Sequence, residues 1–193
     1  MMSNVYAVRN DGFKFQEFCL PITDLIDAAP EPVSTQDVMK FHSNNLPMSS
    51  WWKPLRVQFR AAEGFSNASI PDICLWRGFT LVLSSDAHKI LSSKLEPFGE
   101  FLPVHYGSQE YYIFNCLTLG LADEINSQQD IQDGVFMGVK KLAFNEIDIA
   151  EKLIFKTEYN RCSSLFSLAS LKILIEKEQF KGIVFNDDLV SEF

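Results

Sequence analysis

Leu55, Val57 and Phe59 alternate with Arg56, Gln58 and Arg60, the period-two pattern of a half-buried strand. After Pro71-Asp72, the apolar run Ile73-Cys74-Leu75-Trp76 predicts a second strand. Tyr111 to Leu121 and Val139 to Phe144, rich in aromatic and β-branched residues, predict two more, joined by the polar segment Ala122 to Gly134. Near the start, Val5 and Ala7, then Phe13, Phe15 and Phe18, alternate loosely around Asn10-Asp11-Gly12. That pattern predicts a hairpin closed by a tight loop. Pro21, Pro30, Pro32 and Pro47 then resist long helices and predict loop with short helical turns.

Two stretches follow one plan. Leu81-Val82-Leu83 leads through Ser84 into a helical segment with Lys89-Ile90-Leu91, then Gly99 and the extended Phe101-Leu102-Pro103-Val104. Leu165-Phe166 leads through Ser167 into a helical segment with Lys172-Ile173-Leu174, then Gly182 and the extended Ile183-Val184-Phe185. In each, the serine is placed to cap the first turn and the glycine to stop the helix in a left-handed conformation. Two copies are too few and too far apart for a solenoid. The expected fold is α+β: a mixed, mostly antiparallel sheet flanked by a few helices. It forms a single domain over residues 1–193, with a hairpin and loop-rich segment over 1–50 and the main sheet and helices over 51–193.

Composition supports one core. The 193 residues include 17 phenylalanines and are 47% hydrophobic and 22% charged, an ordinary globular balance. The net charge of −8 repels phosphate backbones and anionic lipid, so the expected partner is neither nucleic acid nor membrane. A basic protein partner fits the sign. Residues 1–9 lack the basic start and apolar run of a secretion signal, and no stretch approaches the length of a membrane span, so a cytoplasmic address is expected. Cys19, Cys74, Cys116 and Cys162 form no CxxC pair and read as four free thiols.

Chemistry-bearing motifs are sparse. There is no GxSxG, and His42, His88 and His105 have no evident triad partners. No HExxH, HxxxH or paired CxxC suggests a metal, and no GxGxxG or GxxxxGK suggests a nucleotide, so no cofactor is expected. Pro71-Asp72 would suit a metal-dependent nuclease only with an acidic-x-Lys triplet, which is lacking. Carboxylates do cluster: Asp123, Glu124, Asp130, Asp133, Glu146, Asp148 and Glu151 face only Lys140 and Lys141 within their span. In polar, loop-like sequence they suit steering of a basic partner better than acid–base catalysis. Trp51, beside Trp52 at a proline bend, is an aromatic of the type that anchors interfaces.

Several blocks in order resemble a family of bacterial immunity proteins, the eleventh of the numbered families associated with polymorphic toxins. They are Trp52-Lys53-Pro54, Pro71-Asp72-Ile73, the Leu81 to Leu91 unit, Gly99 to Val104 and Tyr111-Tyr112-Ile113-Phe114-Asn115. Further blocks are the Asp123-Glu124 region, Leu153-Ile154-Phe155-Lys156 and Phe180 to Phe185. The resemblance spans roughly residues 50 to 186. It implies a small cytoplasmic protein that binds and neutralises a cognate secreted toxin domain in a stoichiometric complex, with no enzymatic activity and no cofactor. The alternative is a small-molecule-binding or regulatory domain whose phenylalanine-lined pocket lies between sheet and helices.

Overall fold

The structure, a computed structural model, describes residues 5–191. In chain order the first elements are β1 (Val5–Asn10), β2 (Glu17–Cys19), α1 (Ile22–Ala28), α2 (Thr35–Met39), β3 (Leu55–Arg56) and β4 (Gln58–Arg60). Next come β5 (Ile73–Trp76), β6 (Thr80–Ser84), α3 (Ser85–Leu95), β7 (Gly99–Tyr106) and β8 (Gln109–Cys116). The last are β9 (Gln128–Gln132), β10 (Val135–Lys141), α4 (Glu146–Ile149), β11 (Ile154–Phe155), β12 (Phe166–Leu168), α5 (Ala169–Lys177) and β13 (Ile183–Asn186). The fold is α+β, with mostly antiparallel sheets and few helices. α3 and α5 are the two main helices, and residues 21–50 are loop with two short helices, as the pattern predicts.

The two similar stretches of sequence become two similar units of structure. In the first, β6 and β7 both run antiparallel to β8, which lies between them, α3 is the crossover, and β5 pairs outside β6. In the second, β12 and β13 both run antiparallel to β1 between them, α5 is the crossover, and β11 pairs outside β12. The orders β7-β8-β6-β5 and β13-β1-β12-β11 therefore match, except that the inserted strand of the second unit comes from the opposite end of the chain. Even the neighbour outside each unit agrees. β3 runs parallel to β7, and β5 runs in the same sense as β13, because Ile73 N–H donates to Lys181 O at 3.1 Å while Leu75 N–H donates to Asn10, the partner of Ile183.

This arrangement corrects three expectations. β1 and β2 are not a hairpin: β1 has both edges filled by β12 and β13, while β2 pairs with β4, so the chain changes sheets across residues 11–16. Ser84 does cap α3, accepting from Ala87 N–H at 3.3 Å, but Ser167 lies inside β12, fully buried, and its hydroxyl has no hydrogen-bond partner. The N-cap position of α5 is instead Leu168, which offers no side-chain cap. Nor do the glycines stop the helices. Gly99 is extended backbone at φ 177°, and the left-handed residue after α5 is Gln179 at φ 60°. Both glycines are needed for close approach: a Cβ on Gly182 would collide with Ile73 O and Pro71, and one on Gly99 with Asn115 O and Phe114.

The side-chain alternation divides the interior into three cores. Ile73, Leu75, Leu81, Leu83 and Phe114 face α3 (Ala87, Leu91, Leu95) and α5 (Leu171, Ile175) in a core that also takes Val8 and Leu165. Their strand neighbours Cys74, Trp76, Val82, Leu102 and Ile113 point the other way, onto α1, α2, β2 and β4. Ala7, Phe155 and Phe166 turn that same way from the second unit, onto Leu142, Phe144 and Ile149. Each fully buried large apolar side chain contributes roughly 1.5–3 kcal/mol, so the core beneath α1 and α2, which buries Phe18, Phe41, Phe59, Trp76 and Phe79, is the largest single stabilising block. All four cysteines are free; Cys74, Cys116 and Cys162 are buried and Cys19 is partly exposed.

The two serines make a direct comparison. Ser84→Ala is expected to cost about 1 kcal/mol by removing a cap, and Ser167→Ala to be neutral or stabilising, because an unpartnered buried hydroxyl is removed. Urea unfolding of the two variants measures the difference, and equal losses would restore Ser167 as a cap.

Candidate protein-binding face

The sequence predicts a connector for the polar segment after β8, yet it supplies half of an antiparallel hairpin, β9–β10. Asp133 and Gly134 form its turn with φ of 50° and 79°, the paired positive angles of a type I′ turn, for which Asp-Gly is among the best dipeptides. The register shifts at Met137 and Lys140 are bulges, which sharpen the twist of the pair. Along the arm, Gln129 Nε2 donates to Tyr159 O at 2.8 Å, and nearer the turn Arg161 lies 4.3 Å from the Phe136 ring centroid. Beyond Leu142 the chain meets residues 121–127: Ala122 bridges Phe144, and Asp123 N–H donates to Ala143 O at 2.9 Å. Phe144 anchors this region by packing 5.0 Å, centroid to centroid, from both Phe155 and Phe166.

The seven clustered carboxylates divide into two groups. Asp123 accepts from Ile125 N–H and from the backbone and side chain of Asn126, and the side-chain bond leads in holding its carboxyl below the usual range. Asp148 accepts from Leu121 N–H at 2.8 Å and pairs with Lys152 at 2.6 Å; burial pushes its pKa up, but these partners outweigh it and hold it low. Asp130 pairs with Lys140 at 2.9 Å. These three build the fold locally. Glu124, Asp133, Glu146 and Glu151 are exposed and carry no ion pair among the described residues.

Sequence reasoning missed what lies between them. Twelve large apolar side chains are strongly exposed among the described residues, and six of them, Leu121, Ile125, Ile131, Val135, Met137 and Ile147, fall in residues 121–147. Ile125 is 95% and Ile147 91% exposed, nearly as open as an unfolded chain. Single exposed apolar residues are ordinary, but six in 27 positions mixed with unpaired carboxylates have the composition of a binding surface. The Asp133-Gly134 dipeptide is the signal that would have revealed the arm.

Trp51 is not part of this face. It packs on the core beneath α1 and α2, and it lines a groove with Pro32, Val33, Phe41 and Met48. Trp52 is held by its indole N–H, which donates to Pro103 O at 2.8 Å. The histidines are dispersed: His88 stacks on Tyr112 at 3.6 Å, and His42 stacks on Phe79 at 4.0 Å. No group of three or more His, Cys, Asp or Glu side chains converges as metal ligands would among the described residues. No described helix is long and apolar enough to cross a membrane. No protein-family model and no curated protein matches the chain.

His42 ties folding to pH. Burial, then the charges of Arg77 and Lys156, lower its pKa from 6.5 to about 4. The unfolded chain therefore takes up a proton that the folded one refuses, so this contribution to stability is complete above about pH 7 and is lost as the pH falls from 6.5 towards 4. His42→Gln is expected to flatten that part of the curve of urea midpoint against pH. An unchanged slope would place the loss in other groups.

Proposed function

We propose that this protein is an immunity protein that neutralises a basic toxin domain by seating it on the β9–β10 arm and the adjoining residues 121–127 and 145–151. The supporting observation is the coincidence, within residues 121–151, of six exposed apolar side chains with four exposed carboxylates that have no ion pair among the described residues. Apolar anchors supply affinity once water is expelled, and an acidic rim accelerates and orients the approach of a cationic surface. A nuclease suits this reading, because its phosphate-binding cleft is basic and carboxylates mimic the charge of its substrate. The resemblance to immunity proteins and the net charge of −8 point the same way. Such a complex works in the cytoplasm and needs neither catalysis nor a cofactor.

The direct test is co-expression with the C-terminal domain of the neighbouring gene's product, scoring growth rescue and co-purification together. Rescue with a one-to-one complex supports the reading; a toxic domain that this protein neither binds nor silences contradicts it. Within such a complex, Ile125→Ser and Ile147→Ser are each expected to weaken binding about tenfold or more, the effect of losing an anchor worth over 1 kcal/mol. Reversing Glu124, Asp133, Glu146 and Glu151 to lysine should slow association and flatten its salt dependence. Stopped-flow mixing at two ionic strengths separates the two effects.

A further inference from the structure

On the opposite charge, and on a different part of the surface, the geometry points to a second site: a pocket for a small organic anion with an apolar body. Arg56, Arg60 and Arg77, three of the chain's five arginines, surround a cavity of about 430 Å3. That volume lies within the roughly 300–1,000 Å3 of small-ligand sites.

The strand pattern places two of the cations. Arg56, Gln58 and Arg60 project to one side of an extended segment whose other side buries Val57 and Phe59. Gln58 Oε1 accepts from both Nε and Nη2 of Arg60, at 3.2 and 2.9 Å, which fixes one edge of the guanidinium and leaves its other donors unused. Arg77 comes from the β5–β6 turn, where it takes φ 57° ahead of Gly78 at φ 80°. That first position of a type I′ turn favours Asn, Asp or Gly, so an arginine there is held against backbone preference.

Charge and shape then define the ligand. None of the three arginines has an ion pair among the described residues, although the protein carries eight more acidic than basic groups. Asp24 is the one carboxylate on the wall among the described residues. Besides Gln58 and Cys19, the rest of the wall is apolar: Phe18, Leu20 and Trp76 are each less than 10% exposed, and Phe18 meets Trp76 edge-on with centroids 6.2 Å apart. Guanidinium groups bind phosphate and carboxylate through paired hydrogen bonds. A phosphate or carboxylate head at the arginines and a small apolar body against Phe18, Leu20 and Trp76 fit both halves of the cavity.

Cys19 also lines the cavity and makes a readout available, because it is partly exposed while the other three cysteines are buried. Phenyl phosphate is the probe, with phenol and inorganic phosphate as its separated halves. Millimolar phenyl phosphate is expected to raise Tm and to slow alkylation of Cys19 by iodoacetamide, read by intact mass, and phenol to do neither. Inorganic phosphate should compete with it. R56Q/R60Q and R77Q should each weaken the apparent affinity tenfold or more, while R161Q leaves it unchanged. The exposed arginines are not expected to be needed for folding, and circular dichroism checks each variant. Failure of phenyl phosphate to protect Cys19 in the wild-type protein, equal protection by phenol, or full protection in R56Q/R60Q would each overturn the proposal.

Discussion

The outer edge of β5 is the constraint on which the molecule depends. An edge strand leaves N–H and C=O groups that must find partners when they are buried. Here Asp72 and Ile73 N–H both donate to Lys181 O, at 2.9 and 3.1 Å. Asn10 exchanges hydrogen bonds with Leu75 through its side chain, and the Asp72 carboxylate accepts Lys181 N–H at 2.9 Å. Because Gly182 has no Cβ, β13 can come this close. These bonds join the two units edge to edge, so that α3 and α5 share one core and the opposite faces of both sheets are covered by the N-terminal layer and by residues 142–149.

The second unit is completed only by β1, from the far end of the chain. Its pairings with β12 and β13 join residues more than 150 positions apart, and that long closure makes folding of the C-terminal half conditional on the N-terminal strand. The β9–β10 arm is built differently. It is a local hairpin set on the Phe144–Phe155–Phe166 cluster, and its outer edges are in no sheet, which leaves it open to a partner at little cost to the rest.

Local pattern was legible where a strand or helix answers to its own side chains. The alternation at Leu55–Arg60, the Ser84 cap and the two strand–helix–strand stretches all carry their structure in sequence. Pairing was not. Ser167 reads as a cap by analogy with Ser84, but Phe166 and Leu168 place it within a central strand. Asn10-Asp11-Gly12 reads as a hairpin turn, but both edges of β1 are claimed by strands from the other end of the chain. For the candidate site the carboxylates were legible as charge, and only the fold separates Asp123, Asp130 and Asp148, which hold loops and strands, from Glu124, Asp133, Glu146 and Glu151, which face outwards. Exposure of Ile125 and Ile147 is invisible to composition, because an isoleucine beside a charge reads equally well as core. The arginine cavity was hidden because Arg77 comes from a turn distant in sequence from Arg56 and Arg60.

In the proposed function the partner sits on the β9–β10 arm and its acidic, apolar surroundings. Hydrogen–deuterium exchange of the protein alone and in the proposed complex with a toxin domain distinguishes this face from any other. Backbone amides of residues 121–151 are expected to gain protection in the complex, most of all along the outer edges of β9 and β10, while α3 and α5 exchange as before. Protection concentrated over α3 and α5, with the arm unchanged, would contradict it.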